Sequence, residues 1–222
     1  MIIDHTHRLY RQKREGAGWN RFNGAYYYSR EIVKNIIPDV KTDRNWITVN
    51  IMGVGCDHAV VFIHNNLHPG RYDWLRKHKD LILVCGIEET CEKVAHLGTP
   101  IYLPLSIDVG YVEQFRVPDE ERDGMAFAGR RSKMERWEGE KPEGLSIISR
   151  MNRASMLQEM AKKEVIYAVG RTAIEARCLG CEIRAYDTRY PDPEIWKVID
   201  NRAAARILQR KLDMIDNRKG EE

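Results

Sequence analysis

"VIYAVGRTAIEARCLGCEIRAYD", residues 165–187, is the stretch on which the fold turns. An uninterrupted apolar run, Val165 to Val169, has the composition of a parallel strand buried on both faces. Gly170 ends it. A helical segment opens at Arg171 and closes at Gly180, where a glycine just past a helix end is expected. A second apolar run, Cys181 to Ala185, follows. Strand, glycine turn, helix, glycine and strand make one βαβ unit, whose helix supplies the crossover that adjacent parallel strands require.

The same rhythm runs along the chain. Apolar runs at 46–51, 59–63, 81–85, 101–105, 125–128, 145–148, 165–169 and 181–185 are candidate strands, with "MII" at the start as another. Helical patterns lie near 25–37, 70–77, 88–97, 153–163, 171–179 and 192–216. Alternation of this kind predicts an α/β protein with parallel sheets flanked by helices. The rhythm breaks once, at "DVGYVEQFRVPDEERDG" (108–124), which is charged, contains Pro118 and ends in Asp-Gly. Such a stretch is expected to link two lobes. The predicted organisation is therefore two Rossmann-like lobes over 1–112 and 118–195, with 196–222 a C-terminal helix crossing back to the first lobe. In that last helix Ile195, Ile199, Ala203 and Ile207 form one apolar row. Leu208, Leu212 and Ile215 continue it after a shift of one position, a core-packing pattern.

Composition bounds the function. The 222 residues are 43% hydrophobic and 31% charged, as in an ordinary globular protein. No apolar run approaches the length of a membrane span. The N-terminus lacks the apolar core of a secretory signal, so a cytoplasmic protein is expected. The five cysteines lie within apolar or helical segments and read as reduced thiols in small core positions. Cys178-x-x-Cys181 straddles a helix end, and no metal site is expected. The net charge is +3 but unevenly placed. "HRLYRQKREGAGWNRF" (7–22) holds Arg8, Arg11, Lys13, Arg14 and Arg21 around Tyr10, Trp19 and Phe22, with Glu15 as its one acid. It reads as a solvated loop or as a surface for phosphates or nucleic acid.

Four segments carry candidate chemistry. In "VGRTAIEA" the free amides at the start of the helix, together with Arg171 and Thr172, suit a diphosphate, and Glu175 suits two ribose hydroxyls. The bland alternative is an ordinary βαβ unit. In "MAFAGRRSKMERW" (125–137), Gly129, Arg130 and Lys133 follow a strand at the edge where open α/β sheets bind ligands. In "AVVFIHNN" (59–66) a strand delivers His64 to its C-terminal end. In "GTPIYLPLSIDVGYVEQF" (98–115) Asp108 and Phe115 follow a strand that ends at Pro104.

In this order the segments resemble glycosyltransferases of the GT-B fold. "VVFIH" is similar to the family's N-terminal strand ending in His, and "LPLSIDVGYVEQF" to the segment that closes its first lobe. "AGRRSK" is similar to the Gly-Arg and Lys that open the second lobe, and "IEARCLGCEIRAYD" to the Glu-Ala segment that follows. "GAGWNRFNGAYYYSREIV" looks like the glycine-bearing loop and first helix. The resemblance implies a nucleotide-diphosphate sugar as donor substrate and no other cofactor; no metal is expected, because cations and helix amides can offset the leaving group's charge and no Asp-x-Asp, which would suit the alternative of Mg²⁺, occurs. It implies that Arg130 and Lys133 hold the donor phosphates, Glu175 the ribose, and His64 an acceptor-side role. An inverting route needs a base at the acceptor: His64 first, then Asp57 and His58. A small-molecule or carbohydrate acceptor is preferred. DNA is the alternative, through the basic N-terminal segment with stacking on Trp19 or Tyr26–Tyr28, as in a DNA-base glucosyltransferase. Many family members carry a second glutamate eight positions before the Glu-Ala one, and here that residue is Tyr167. The Val-Asp motif reads Ser106-Ile107-Asp108, without its glycine. A catalytically silent nucleotide or nucleic-acid binding protein is the reading from another class.

Overall fold

The computed structural model describes residues 2–4, 32, 48–49, 59–63 and 81–219. The expectations for His64, Asp57, His58, the basic segment 7–22 and the helix near 70–77 fall outside the described residues, as does most of the helix near 25–37. The described chain is α/β, with two sheets flanked by helices. Among the described residues no helix is long and apolar enough to cross a membrane. The chain divides into two compact units. One holds residues 1–105 and 201–222, the other 106–200.

The first unit contains a five-stranded sheet. Its strands are β1 (Ile2–Asp4), β2 (Thr48–Val49), β3 (Ala59–Ile63), β4 (Leu81–Cys85) and β5 (Thr99–Tyr102), in the order β2-β1-β3-β4-β5. All neighbours run parallel except β2, which pairs antiparallel with β1. Helix α1 (Glu88–Val94) crosses from β4 to β5 and buries Thr90 and Val94. The apolar run at 101–105 predicts a strand, but the strand begins earlier, at Thr99, and takes in Pro100. Pro100 is tolerated there because, among the described strands, β5 is the edge of the sheet and needs no outward amide bond. The last helix of the chain, given below as α5, also belongs to this unit.

The second unit contains a four-stranded parallel sheet of β6 (Met125–Ala128), β7 (Ser146–Ile148), β8 (Val165–Tyr167) and β9 (Glu182–Arg184). Its order is β7-β6-β8-β9. Val165, Ile166 and Tyr167 are all buried, as a central parallel strand demands. Three helices accompany the sheet: α2 (Val109–Glu113), α3 (Arg153–Ala161) and α4 (Arg171–Cys178). Leu157, Met160, Ala173, Ile174 and Leu179 are buried with Phe127 and Ile166 in the core of this unit. Asn152 caps α3, its side chain accepting from the Ser155 amide at 2.9 Å.

The stretch 108–124, expected as a linker, is built into this unit. Asp108 caps α2 by accepting from the Tyr111 amide at 3.0 Å. Farther on, Arg122 is buried and holds the end of α4. It donates to the carbonyls of Leu179 (2.8 Å), Val117 (3.0 Å) and Gly180. A guanidinium thus covers helix-end carbonyls that have no partner within the helix.

The final helix, α5, runs from Asn201 to Lys219, not from 192. A short 3-10 turn at Pro193–Ile195 precedes it. Residues 199 and 200 stand outside the helix: the Ile107 amide donates to the Ile199 carbonyl at 3.0 Å, and Ile107 forms an isolated parallel bridge with Asp200. The buried face of α5 is Asn201, Ala204, Ala205, Leu208 and Leu212, while Ile195 is exposed. The apolar row projected through Ile195 and Ile199 therefore starts outside the helix. Lys211 reaches back to donate to the Tyr102 carbonyl at 2.8 Å.

Candidate functional site

The strand order of the second unit fixes one special place. From β6 the chain moves to β7 on one side, then returns across β6 to β8 on the other. At such a reversal the connections leave the C-terminal ends of two adjacent strands in opposite directions and open a crevice between them. Phe127 of β6 is in register with Tyr167 of β8. The two glycine segments, Gly129-Arg130 and Gly170-Arg171, therefore leave neighbouring strands at the same edge of the sheet.

Each glycine has a backbone reason. Gly170 precedes α4 with φ 66° and ψ −142°, a conformation open essentially to glycine alone. Gly129 has φ 154° and its amide donates to the Ile148 carbonyl at 3.1 Å, extending the β6–β7 pairing by one residue. The Gly170 carbonyl accepts from the amides of Ala173 and Ile174, at 3.0 and 3.2 Å, which starts the helix. Thr172 is half-buried in its first turn.

Glu175 is 2% exposed and lies in an arginine clamp. Its Oε1 accepts from Arg171 Nε and from Arg153 Nε, both at 3.1 Å, and Arg153 Nη2 stands 3.0 Å away. Arg171 is itself buried, so its side chain folds back along α4 toward its own fourth neighbour. Arg153 also lies over the Tyr111 ring, 4.9 Å from its centroid, and Tyr111 meets Phe115 edge-on at 5.3 Å. Residues from α2, α3 and α4 are thus tied together around one carboxylate.

A second group of charges lies beyond β6. Arg130 is exposed, and a 3-10 turn over Arg131–Arg136 follows it. Trp137 then pairs with Asp187, the third residue after β9. The Trp137 ring packs 4.7 Å from Tyr167 and stacks on Tyr186 at 5.7 Å and 25°. Phe127 completes the aromatic group, 5.0 Å from Tyr186. This packing draws the 3-10 turn over the ends of β8 and β9. Burial and the neighbouring Asp187 charge push the Tyr186 hydroxyl up to about 12.

Asp187 anchors the charges. Its side chain is 1% exposed and Arg189 grips it with two bonds, Nε to Oδ1 at 2.8 Å and Nη2 to Oδ2 at 2.6 Å. Arg136 Nη1 stands 3.8 Å from Oδ2. The Arg189 hydrogen bonds hold the Asp187 carboxyl below the usual carboxylate range, against the opposing effect of burial. Lys133 is half-buried among these groups. Burial lowers its pKa, the charges of Arg130, Arg136 and Arg189 add to that, and Asp187 opposes them.

Sequence reasoning singled out Gly129, Arg130, Lys133, Gly170, Arg171, Thr172 and Glu175. All of them belong to the second unit, in two groups. Arg130 and Lys133 lie in the charge cluster past β6, while Arg171 and Glu175 pair with each other beside Arg153. Asp187, Arg189, Arg136 and Arg153 were not singled out. A usable signal existed for the first two: Asp187-x-Arg189 directly follows a strand, at the edge where α/β sheets carry their ligands. Among the described residues no group of His, Cys, Asp and Glu is arranged to hold a metal. The four described cysteines are free thiols, with Cys178 and Cys181 pushed up to about 11, chiefly by burial. No protein-family model matches the chain, and no curated protein matches it at a significant level.

Proposed function

We propose that the second unit binds the diphosphate of a nucleotide sugar at the C-terminal edge of its sheet, and that the protein transfers the glycosyl group to a small-molecule or carbohydrate acceptor. The observation that supports this most is the strand order β7-β6-β8-β9, which brings Gly129-Arg130 and Gly170-Arg171 to one reversal point. In the transfer, the bond between the anomeric carbon and the β-phosphate oxygen breaks and a bond to the acceptor oxygen forms. Negative charge develops on the departing diphosphate. Arg130 and Lys133 offset it, aided by the backbone amides that open α4. Cations and oriented amides suffice for that task without a metal. The acceptor proton passes to a base on an inverting route, and His64 and Asp57 remain the sequence-based candidates for it.

A second reading is a catalytically silent nucleotide or nucleic-acid binding protein. Tyr167, standing where many members of the resembled family carry a second glutamate, favours it, and the Glu175 clamp weakens the donor-ribose role in either reading. A carboxylate already accepting from two guanidinium groups has less capacity left for ribose hydroxyls. A thermal-shift screen with nucleoside diphosphates and nucleotide sugars tests the first reading, because a ligand that binds only the folded state raises the melting midpoint. A nucleotide sugar that raises Tm and is consumed when candidate acceptors are added supports transfer. A Tm rise without consumption supports the silent reading. No response to any nucleotide removes both nucleotide readings.

A further inference from the structure

We propose that Arg136 and Arg189, anchored on the buried Asp187 beside Arg130 and Lys133, form a site for a diphosphate-bearing anion. The inference deepens the nucleotide-sugar reading and shares Arg130 and Lys133 with it.

The buried Asp187 carboxylate holds Arg189 through two parallel hydrogen bonds and has Arg136 as a second neighbour. A guanidinium carries five N–H donors, and Arg189 gives two to Asp187. The Arg189 and Arg136 side chains stay 48% and 47% exposed. The carboxylate therefore fixes the inner edge of Arg189 and leaves much of both guanidinium groups open to solvent. Arginines held this way lose little freedom when they meet a planar or tetrahedral oxyanion.

Charge balance points the same way. Over residues 130–138 and 187–189, Arg130, Arg131, Lys133, Arg136 and Arg189 stand against Glu135, Glu138 and Asp187. Glu138 accepts from the Thr188 hydroxyl at 3.3 Å. At Lys133 burial is the main influence disfavouring the ammonium form, and the three guanidinium groups of Arg130, Arg136 and Arg189 add to it against the one carboxylate of Asp187. Packed like charges of this kind are relieved by a polyvalent anion. Each guanidinium can meet a phosphoryl group through a bidentate pair, and a diphosphate offers two such groups with more negative charge than one phosphate. The site also lies at the sheet edge where α/β folds place ligands.

The test is titration calorimetry of the full chain with inorganic pyrophosphate and, separately, with inorganic phosphate. Pyrophosphate is expected to bind one site per chain and more tightly than phosphate. Arg136→Gln and Arg189→Gln are each expected to weaken it about tenfold or more, the loss of a charge-assisted bidentate contact. Arg189 also neutralises the buried Asp187, so Arg189→Lys, which keeps that charge but loses the bidentate fork, is measured beside Arg189→Gln, and circular dichroism checks the fold of every variant. Arg206→Gln, on the exposed face of α5, serves as control and is expected to change nothing. Undetectable pyrophosphate binding, or equal binding by the wild type and both variants, overturns the inference. So does binding confined to single-stranded DNA. A nucleoside diphosphate that binds more tightly than pyrophosphate identifies the ligand as a nucleotide, and equal affinities identify a free polyphosphate. Pyrophosphate binding without response to any nucleotide sugar keeps this site and removes the transfer reading. A nucleotide-sugar response indifferent to both arginines does the reverse.

Discussion

Arg189 closes on Asp187 across a single residue, with contacts of 2.8 and 2.6 Å, and so turns the exit of the last strand into a rigid charged corner. The pair decides how this corner answers pH. The folded-state pKa of Asp187 lies below its ordinary value, so its stabilising contribution is complete above the unfolded value of about 3.9. That contribution is lost as pH falls through the lower folded value. Asp187→Asn is expected to cost about 1–2 kcal/mol near neutral pH, discounted because Arg189 is half exposed. The penalty should shrink as pH is lowered toward 2. Urea unfolding of both proteins across that range measures it, and a penalty that stays constant down to acid pH would sink the account.

Glu175 is expected to act on the fold before it acts on any ligand. Its side chain is 3% exposed and neutralises Arg171, which is 8% exposed, as well as Arg153. Removing one member of a buried ion-pair cluster is strongly destabilising, and Glu175→Ala should cost about 3–5 kcal/mol. Glu175→Gln, which keeps the shape and one acceptor, should cost less. Thermal or denaturant unfolding of both variants is the check. A melting midpoint unchanged in Glu175→Ala would return this residue to the surface and to a direct ligand role.

The sheet of the second unit was legible because its signals are local. "MAFA" is apolar and bounded by Gly124 and Gly129, and the strand occupies 125–128 as the pattern predicts. The βαβ rhythm around Gly170 and Gly180 was equally plain. Illegible were the features created by distant partners. Arg122 stands in a charged run that looks like a linker, and the distant carbonyls at 179 and 180 that help to bury it are not visible in that run. Glu175 looked available for a ribose because Arg153, which holds it, lies on another helix, 22 residues away. The start of α5 was misplaced for the same reason. Ile195 and Ile199 continue the helical apolar spacing of Ala203 and Ile207, but the backbone at 199 and 200 is engaged by Ile107. Local patterns fix elements; burial of charge depends on contacts the pattern does not contain.

Two glycines should respond in opposite ways to the same substitution. Gly170 has φ 66° and ψ −142°, where an alanine is strained. Gly170→Ala should destabilise by about 1–3 kcal/mol and disturb the turn into α4. Gly110 lies inside α2, and a Cβ there would meet nothing nearer than Asp108 Oδ1 at 3.9 Å. Gly110→Ala should be neutral or stabilise by up to about 1 kcal/mol, through helix propensity and a less free unfolded chain. Denaturant midpoints of the two variants decide it. Equal destabilisation at both positions would contradict the turn geometry.

Gly180 and Arg122 should behave as a coupled pair. Gly180 has φ +91°, and a Cβ on it would stand 2.6 Å from both terminal nitrogens of Arg122 and 3.0 Å from its Cζ. A flexible side chain would move aside at little cost, but this guanidinium is held by the carbonyls of Val117, Leu179 and Gly180 and by Asp119 at 3.0 Å. Gly180→Ala is therefore expected to cost about 2–4 kcal/mol, combining backbone strain with hydrogen bonds to a charged donor. Arg122→Leu leaves the same helix-end carbonyls without their donor and should cost a similar amount. Because both substitutions act through one guanidinium, the double variant should be less destabilised than the two single costs added together. Equilibrium unfolding of the four proteins gives the interaction energy directly. Strict additivity would mean that Gly180 is required only for its backbone angle and that Arg122 holds the end of α4 independently of it.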